Sequence, residues 1–127
     1  MKPESQGASD DDMAGLMIAP GQICRDRACK TFRVVIVLEP SPTKPGKLRV
    51  CRWQPSGNPS AADGRWSAPS AVSEDQLEPL PDDFDLTTRR GQIVAAARRS
   101  VVGGNVRWQI GGPGGLRELH HVGKVRP

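Results

Sequence analysis

Apolar and polar positions alternate most regularly where the sequence reads TFRVVIVLE, residues 31–39. Even-numbered positions from Phe32 to Leu38 are apolar along one face, and Val35 and Val37 occupy the other face. Alternation with a period of two, together with the many β-branched residues, predicts a β-strand. Because both faces are apolar, we expect this strand to be covered on both sides.

Two further strands are predicted after the first one, and each of them follows a loop rich in Pro, Gly and Ser. The stretch KLRVCRWQP, residues 47–55, predicts a second strand with Leu48 and Val50 on one face and Trp53 on the other. A third short strand begins at Arg65. The residues SAVSEDQ that follow, 70–76, predict a tight turn or one turn of 3₁₀ helix before the segment LEPL.

This order of elements resembles the SH3-like small barrel in the broad sense that includes Tudor, chromo-related and KOW-type modules. The resemblance covers about residues 20–80. It depends on the Pro20–Gly21 turn, the long apolar strand, the segment LRVCRW and the ending W…P…V…QLEPL. It implies a closed or nearly closed barrel, which removes exposed sheet edges. In that arrangement Leu77 and Leu80 are expected to plug one end of the barrel.

The remaining C-terminal part predicts one helix and one β-hairpin. Asp85 is a candidate N-cap, and the helix is expected to bury a stripe formed by Leu86, Ile93, Ala97 and Val101. Gly91 is expected to loosen its first turn. The segments NVRWQI and LRELHHV, joined by a glycine-rich tip, predict the hairpin.

The predicted fold class is therefore mainly β with one helix (α+β): an SH3-like small barrel followed by a helix and a C-terminal hairpin. The expected organisation is a disordered acidic tail over 1–15, the barrel over 16–81, and the extension over 82–127, packed on the barrel. The tail has too few apolar side chains to offset the entropy of ordering it.

Charge is distributed unevenly along the chain, whose net charge is +4. Residues 86–127 contain eight basic side chains against Glu118 alone, a net charge of +7, whereas residues 1–15 have a net charge of −3. Such asymmetry favours an anionic partner for the C-terminal third. We therefore expect DNA or RNA to be bound mainly through backbone phosphates. The candidate residues are Arg89, Arg98, Arg99, Arg107 and Arg117.

A protein partner is the alternative. Trp53 and Trp66 could line an outer groove for an extended peptide, although the few aromatic residues in the chain favour the core for Trp66. Trp53 is thus the candidate residue for a peptide groove. An assembly or accessory subunit, for example of a phage particle or mobile element, could dock through the barrel.

Catalytic and metal chemistry find little support in the sequence. It contains no nucleophile elbow, P-loop or zinc-protease motif, so a non-enzymatic binding protein without a cofactor is expected. A zinc site built from Cys24, Cys29, Cys51 and His120 or His121 is conceivable, but unligated thiols are favoured. No apolar run reaches the ~20 residues of a membrane span, and the polar N-terminus lacks the pattern of a secretory signal, so a cytoplasmic location is expected.

Overall fold

The computed structural model describes residues 18–55, 64–81, 83–111, 114–123 and 125. It contains one 3₁₀ turn, Glu74–Gln76, and one α-helix, α1, Arg89–Arg99. Its strands are β1 (Ile23–Asp26), β2 (Val34–Pro40), β3 (Lys47–Pro55), β4 (Gly64–Trp66), β5 (Ser70–Ser73), β6 (Leu77–Pro79), β7 (Asn105–Ile110) and β8 (Leu116–His121).

The strands form one strongly curled sheet, a half-barrel. Its order is β6-β1-β2-β3-β4-β7-β8, and β5 pairs with the first half of β3. All pairs are antiparallel except β4 with β7, which run parallel and meet at Trp66 and Trp108. The 3₁₀ turn returns β6 to the edge of β1, whereas Ser70–Ser73, predicted as part of a tight turn, form strand β5. The predicted fold class, an α+β chain with a small barrel, one helix and a C-terminal hairpin, is confirmed.

Two apolar clusters lie on opposite faces of β2 and β3. The inner cluster, to which β1, β2, β3, β5 and β6 all contribute, contains Ile18, Cys24, Val35, Val37, Val50, Val72 and Leu77. The outer cluster contains Ile23, Val34, Ile36, Leu38, Cys51, Trp53, Trp66, Leu80, Val94, Ala96, Ala97, Val106 and Trp108. Because successive side chains of a strand point to opposite faces, β2 contributes to both clusters. The prediction that this strand is covered on both sides is confirmed.

The predicted plug at the end of the barrel is only half correct. Leu77 does enter the inner cluster, but Leu80 packs into the outer one. The strand β6 ends at Pro79, and the backbone N–H of Leu80 still donates to the carbonyl of Ile23 in β1 at 3.2 Å. Trp66 is buried, as favoured, but among the outer cluster.

Helix α1 covers the outer cluster with a different stripe from the predicted one. It begins after Thr88, whose hydroxyl accepts a hydrogen bond from the Gly91 backbone N–H at 3.0 Å. Leu86 therefore precedes the helix and is 41% exposed. The buried face consists of Gly91, Val94, Ala96 and Ala97, with Ile93 and Val101 only partly buried.

The segment before the helix explains two further differences. Asp85 caps no helix: its carboxylate instead accepts bonds from the Thr87 backbone N–H at 2.9 Å and from the Thr87 hydroxyl at 2.6 Å. These two bonds lower the pKa of Asp85. Gly91, which was expected to loosen the first turn, has a steric role there. It lies so close to the backbone of Asp85 and Leu86 that a Cβ there would overlap with both.

The helix and the hairpin share the outer cluster with the barrel. Val94 from α1 and Val106 and Trp108 from β7 are buried beside Ile36 and Trp53. No helix in the described part of the chain is long and apolar enough to cross a membrane. The predicted disordered tail, residues 1–15, lies outside the described residues.

Candidate nucleic-acid interface

Three tryptophans form a row across neighbouring strands. Trp53 on β3 pairs with Trp66 on β4, and Trp66 pairs with Trp108 on β7. Paired residues project to the same side of a sheet, so all three side chains face the outer cluster. They are between 2% and 5% exposed, and the rings of Trp53 and Trp66 meet edge-to-face with centroids 5.0 Å apart.

Residues next to these tryptophans must project from the opposite side of the sheet. Arg65 precedes Trp66, and Arg107 precedes Trp108. Since β4 and β7 are parallel with the two tryptophans in register, Arg65 and Arg107 occupy neighbouring positions. Gln109 follows on β7 and pairs with Arg117 on β8. We call this surface the arginine face; it comprises Gln54, Arg65, Arg107, Gln109 and Arg117.

The arginine face borders an open depression of about 710 Å³. Its rim and floor include all five residues of the arginine face, and all five are exposed. Within the described ranges, no acidic residue lines the depression. Glu118 adjoins Arg117 in sequence but lies on the other side of β8, where it pairs with Trp108. The depression is therefore cationic.

Neighbouring arginines without a neutralising carboxylate are electrostatically unfavourable in an unliganded sheet. Among the described residues, Arg65 donates a long bond from Nε to Gln54 Oε1, at 3.4 Å. A planar guanidinium with five N–H donors matches a phosphate or carboxylate geometrically. The arrangement is suited to holding an anion that bridges two or three arginines.

The candidate arginines fall into two groups on different sides of the sheet. Arg107 and Arg117 belong to the arginine face, whereas Arg89, Arg98 and Arg99 are on α1, which packs on the tryptophan side. Arg89 and Arg99 are exposed. Arg98 is partly buried, and its Nε and Nη2 atoms are shielded from solvent without a hydrogen-bond partner among the described residues. The structure thus does not bring all five together.

Arg65 is the arginine of this surface that sequence reasoning missed. It belongs to the part of the chain, residues 16–85, whose charges balance, so the charge gradient did not single it out. Its position is set by the parallel contact between Trp66 and Trp108, a pairing across 42 residues of sequence. The adjacent aromatic and basic residues in Arg65–Trp66 and Arg107–Trp108 are the only local signal.

Trp53, the candidate for a peptide groove, is 2% exposed. One edge of it borders a smaller depression of about 370 Å³, lined also by Phe32, Pro55 and Ile93. Most of its ring contacts the outer cluster, so the tryptophan side of the sheet offers little free aromatic surface. The peptide groove stays a prediction.

The three cysteines are unpaired and lie apart in the fold. Cys24 is in the inner cluster and Cys51 in the outer one, and burial raises the pKa of each thiol to about 12. Cys29 is near the surface, where hydrogen bonding to Thr31 lowers its pKa. Within the described residues, no group of three or more His, Cys, Asp or Glu side chains is placed to hold a metal ion. His121 instead pairs with Asn105, with Nδ1 and Oδ1 3.1 Å apart.

No protein-family model, curated protein or solved structure matches this chain.

Proposed function

We propose that this protein is a non-enzymatic nucleic-acid-binding module that holds phosphates of DNA or RNA on its arginine face. The observation that carries the proposal is the grouping of Arg65, Arg107 and Arg117 around one open depression that no described carboxylate lines. The two glutamines beside them add neutral hydrogen-bonding groups that can contact phosphate or sugar oxygens.

The buried state of the tryptophans indicates the mode of binding. Single-stranded nucleic acids are often held by stacking bases on exposed aromatic rings, which supplies affinity at each base. Trp66 and Trp108 are 4% and 5% exposed, so they support the arginine face from behind and are not stacking platforms. Binding should therefore be mainly electrostatic, weakly sequence-dependent and sensitive to salt.

The first prediction compares two double variants that remove equal charge. Arg107→Ala/Arg117→Ala removes two arginines from the arginine face, and Arg89→Ala/Arg99→Ala removes two exposed arginines from the helix. Each phosphate neutralised on a duplex contributes roughly 0.9 to the slope of log affinity against log salt. The first variant should flatten the slope by about two units and weaken binding to unrelated sequences by similar factors. The helix variant should change the slope much less.

The measurement is fluorescence anisotropy of labelled duplex DNA, duplex RNA and single strands across a salt series. All substituted residues are exposed, so thermal unfolding should confirm that stability changes by no more than about 0.5 kcal/mol. If the helix variant alone flattens the slope, the binding surface belongs to α1 and the assignment to the arginine face is wrong. If the unaltered protein does not bind at low salt, a protein partner becomes the better hypothesis.

A further inference from the structure

Strand β8 is an edge of the sheet and is exposed on both faces. It pairs with β7 only, and no second neighbour lies beside it among the described residues. Leu116 is 74% exposed and Leu119 is 54% exposed. An edge strand presents a row of unpaired N–H and C=O groups, which can pair with another strand.

Several features that often protect an edge strand are missing here. The segment LRELHH contains neither proline nor lysine, and its pairing with β7 continues without a bulge from Asn105 to Ile110. Its six residues are enough for a regular ladder. A regular edge of this kind, with exposed apolar side chains, is suited to the addition of another strand.

We propose that β8 pairs antiparallel with β8 of a second copy of this chain, centred on Leu119. Two antiparallel copies of one strand are related by a two-fold axis perpendicular to the sheet, so each residue faces a partner on the same side. Centring on Leu119 brings the two Leu119 side chains together. It also places Glu118 of each copy opposite His120 of the other, twice in the interface.

Two other registers of the same strand are less favourable, which supports this alignment of the two copies. Centring on Glu118 would place two carboxylates directly opposite each other, and centring on Arg117 would do the same with two guanidinium groups. Like charges in direct cross-strand positions destabilise a sheet, whereas apolar and complementary pairs stabilise it. The sequence of β8 thus favours the register centred on Leu119 over those centred on Glu118 and Arg117.

The pairing has a consequence for the ligand, and this part rests on the proposed function. A two-fold axis perpendicular to the sheet keeps corresponding faces on the same side. The two arginine faces would become one continuous surface, with Arg65, Arg107 and Arg117 repeated on either side of the axis. An extended polyanion could contact both sets, and linking two sites raises affinity without any new contact.

The dimer can be tested without nucleic acid. An interface made by one strand edge is small, below the ~1,200 Å² of stable complexes, so association should depend on concentration. We expect sedimentation velocity of the full chain to show a monomer–dimer equilibrium. Leu119→Lys, which brings two ammonium groups together at the axis, should raise the dimer dissociation constant about tenfold or more. Val102→Lys is the matched control, since Val102 is 64% exposed outside β8.

A charge exchange tests the register. Glu118→Lys places a cation opposite His120, and His120→Glu places two carboxylates opposite each other, so each single variant should weaken the dimer. The double variant places opposite charges at these two positions and should recover the dimer. A protein that is monomeric at all concentrations, or a dimer that Leu119→Lys leaves intact, would overturn the inference. Sedimentation is measured without nucleic acid. The absence of a dimer would therefore leave the proposed function and its own test unaffected.

Discussion

One charged residue, Asp26, is buried in the barrel and connects four separate elements. It is 3% exposed at the end of β1. One carboxylate oxygen accepts bonds from the Ala28 backbone N–H at 3.0 Å and from the Gln76 side chain at 3.1 Å. The other lies 3.5 Å from Nε of Arg52, which in turn donates to the Ser70 hydroxyl at 2.7 Å. A buried carboxylate with several partners organises the chain around it.

We predict that Asp26→Ala destabilises the protein by roughly 1–3 kcal/mol, because it leaves the partly buried donors around a buried position without an acceptor. Glu39→Ala is the control: it removes the partner of Arg49 in an ion pair that is about one-third exposed on each side, at 32% and 34%. Exposed pairs contribute at most about 1 kcal/mol. Urea unfolding measures both, and equal losses in the two variants would contradict the prediction.

At the scale of the element, the packing of α1 depends on a close backbone contact that the pattern of its sequence does not indicate. Its first turn contacts the backbone of Asp85 and Leu86 at Gly91, so the segment before the helix folds back against it. The pattern of apolar residues alone favoured a stripe beginning at Leu86. The cap at Thr88 and the contact at Gly91 together rotate a different face toward the tryptophans.

Gly91→Ala provides a test in which two effects have opposite signs. Helix propensity alone predicts a gain of about 1 kcal/mol for alanine over glycine. The methyl group would overlap with the backbone, which can relax only if the preceding segment moves, and such overpacking typically costs 1–3 kcal/mol. We expect a net loss of stability by thermal unfolding. Gln92→Ala, at an exposed helix position, should be nearly neutral or stabilising. A stabilised Gly91→Ala variant would refute this reading.

How much of the fold and of the arginine face could be predicted from the sequence depends on how far apart in the chain the interacting residues lie. Local alternation was sufficient for β2, β3 and the hairpin, because burial on a given face is repeated every second residue. The face of α1 was missed because contacts outside the helix decide it. The arginine face needed the parallel contact between Trp66 and Trp108, and the Asp26 network joins residues up to 50 positions apart. Neither leaves a periodic signal in the sequence.

For the whole molecule, the two apolar clusters make the barrel and its extension interdependent. Ile36, Trp53 and Trp66 face outward from the barrel and are covered in part by α1 and β7. A barrel ending at residue 81 would expose this outer cluster to water. Exposed apolar surface of that extent favours association or loss of specific packing.

We therefore predict that a fragment ending at residue 81 aggregates or binds a hydrophobic dye strongly, whereas the full chain unfolds in one cooperative transition. Dye fluorescence and calorimetry on the two proteins are the measurements. If the fragment unfolds cooperatively and does not bind the dye, the barrel is an independent domain and the outer cluster is dispensable for it. A second calorimetric transition in the full chain would lead to the same conclusion.

The row of tryptophans also determines what an optical experiment can see. The chain has no tyrosine, so its near-ultraviolet emission comes from Trp53, Trp66 and Trp108, all of which lie in the outer cluster. Emission from the folded protein should be blue-shifted, and the edge-to-face pair should give a strong near-ultraviolet dichroism signal. Intrinsic fluorescence is consequently a reporter of the sheet surface beneath the helix. It gives no direct signal from the inner cluster, which contains no tryptophan. The packing of the inner cluster has to be followed by a signal that comes from the backbone.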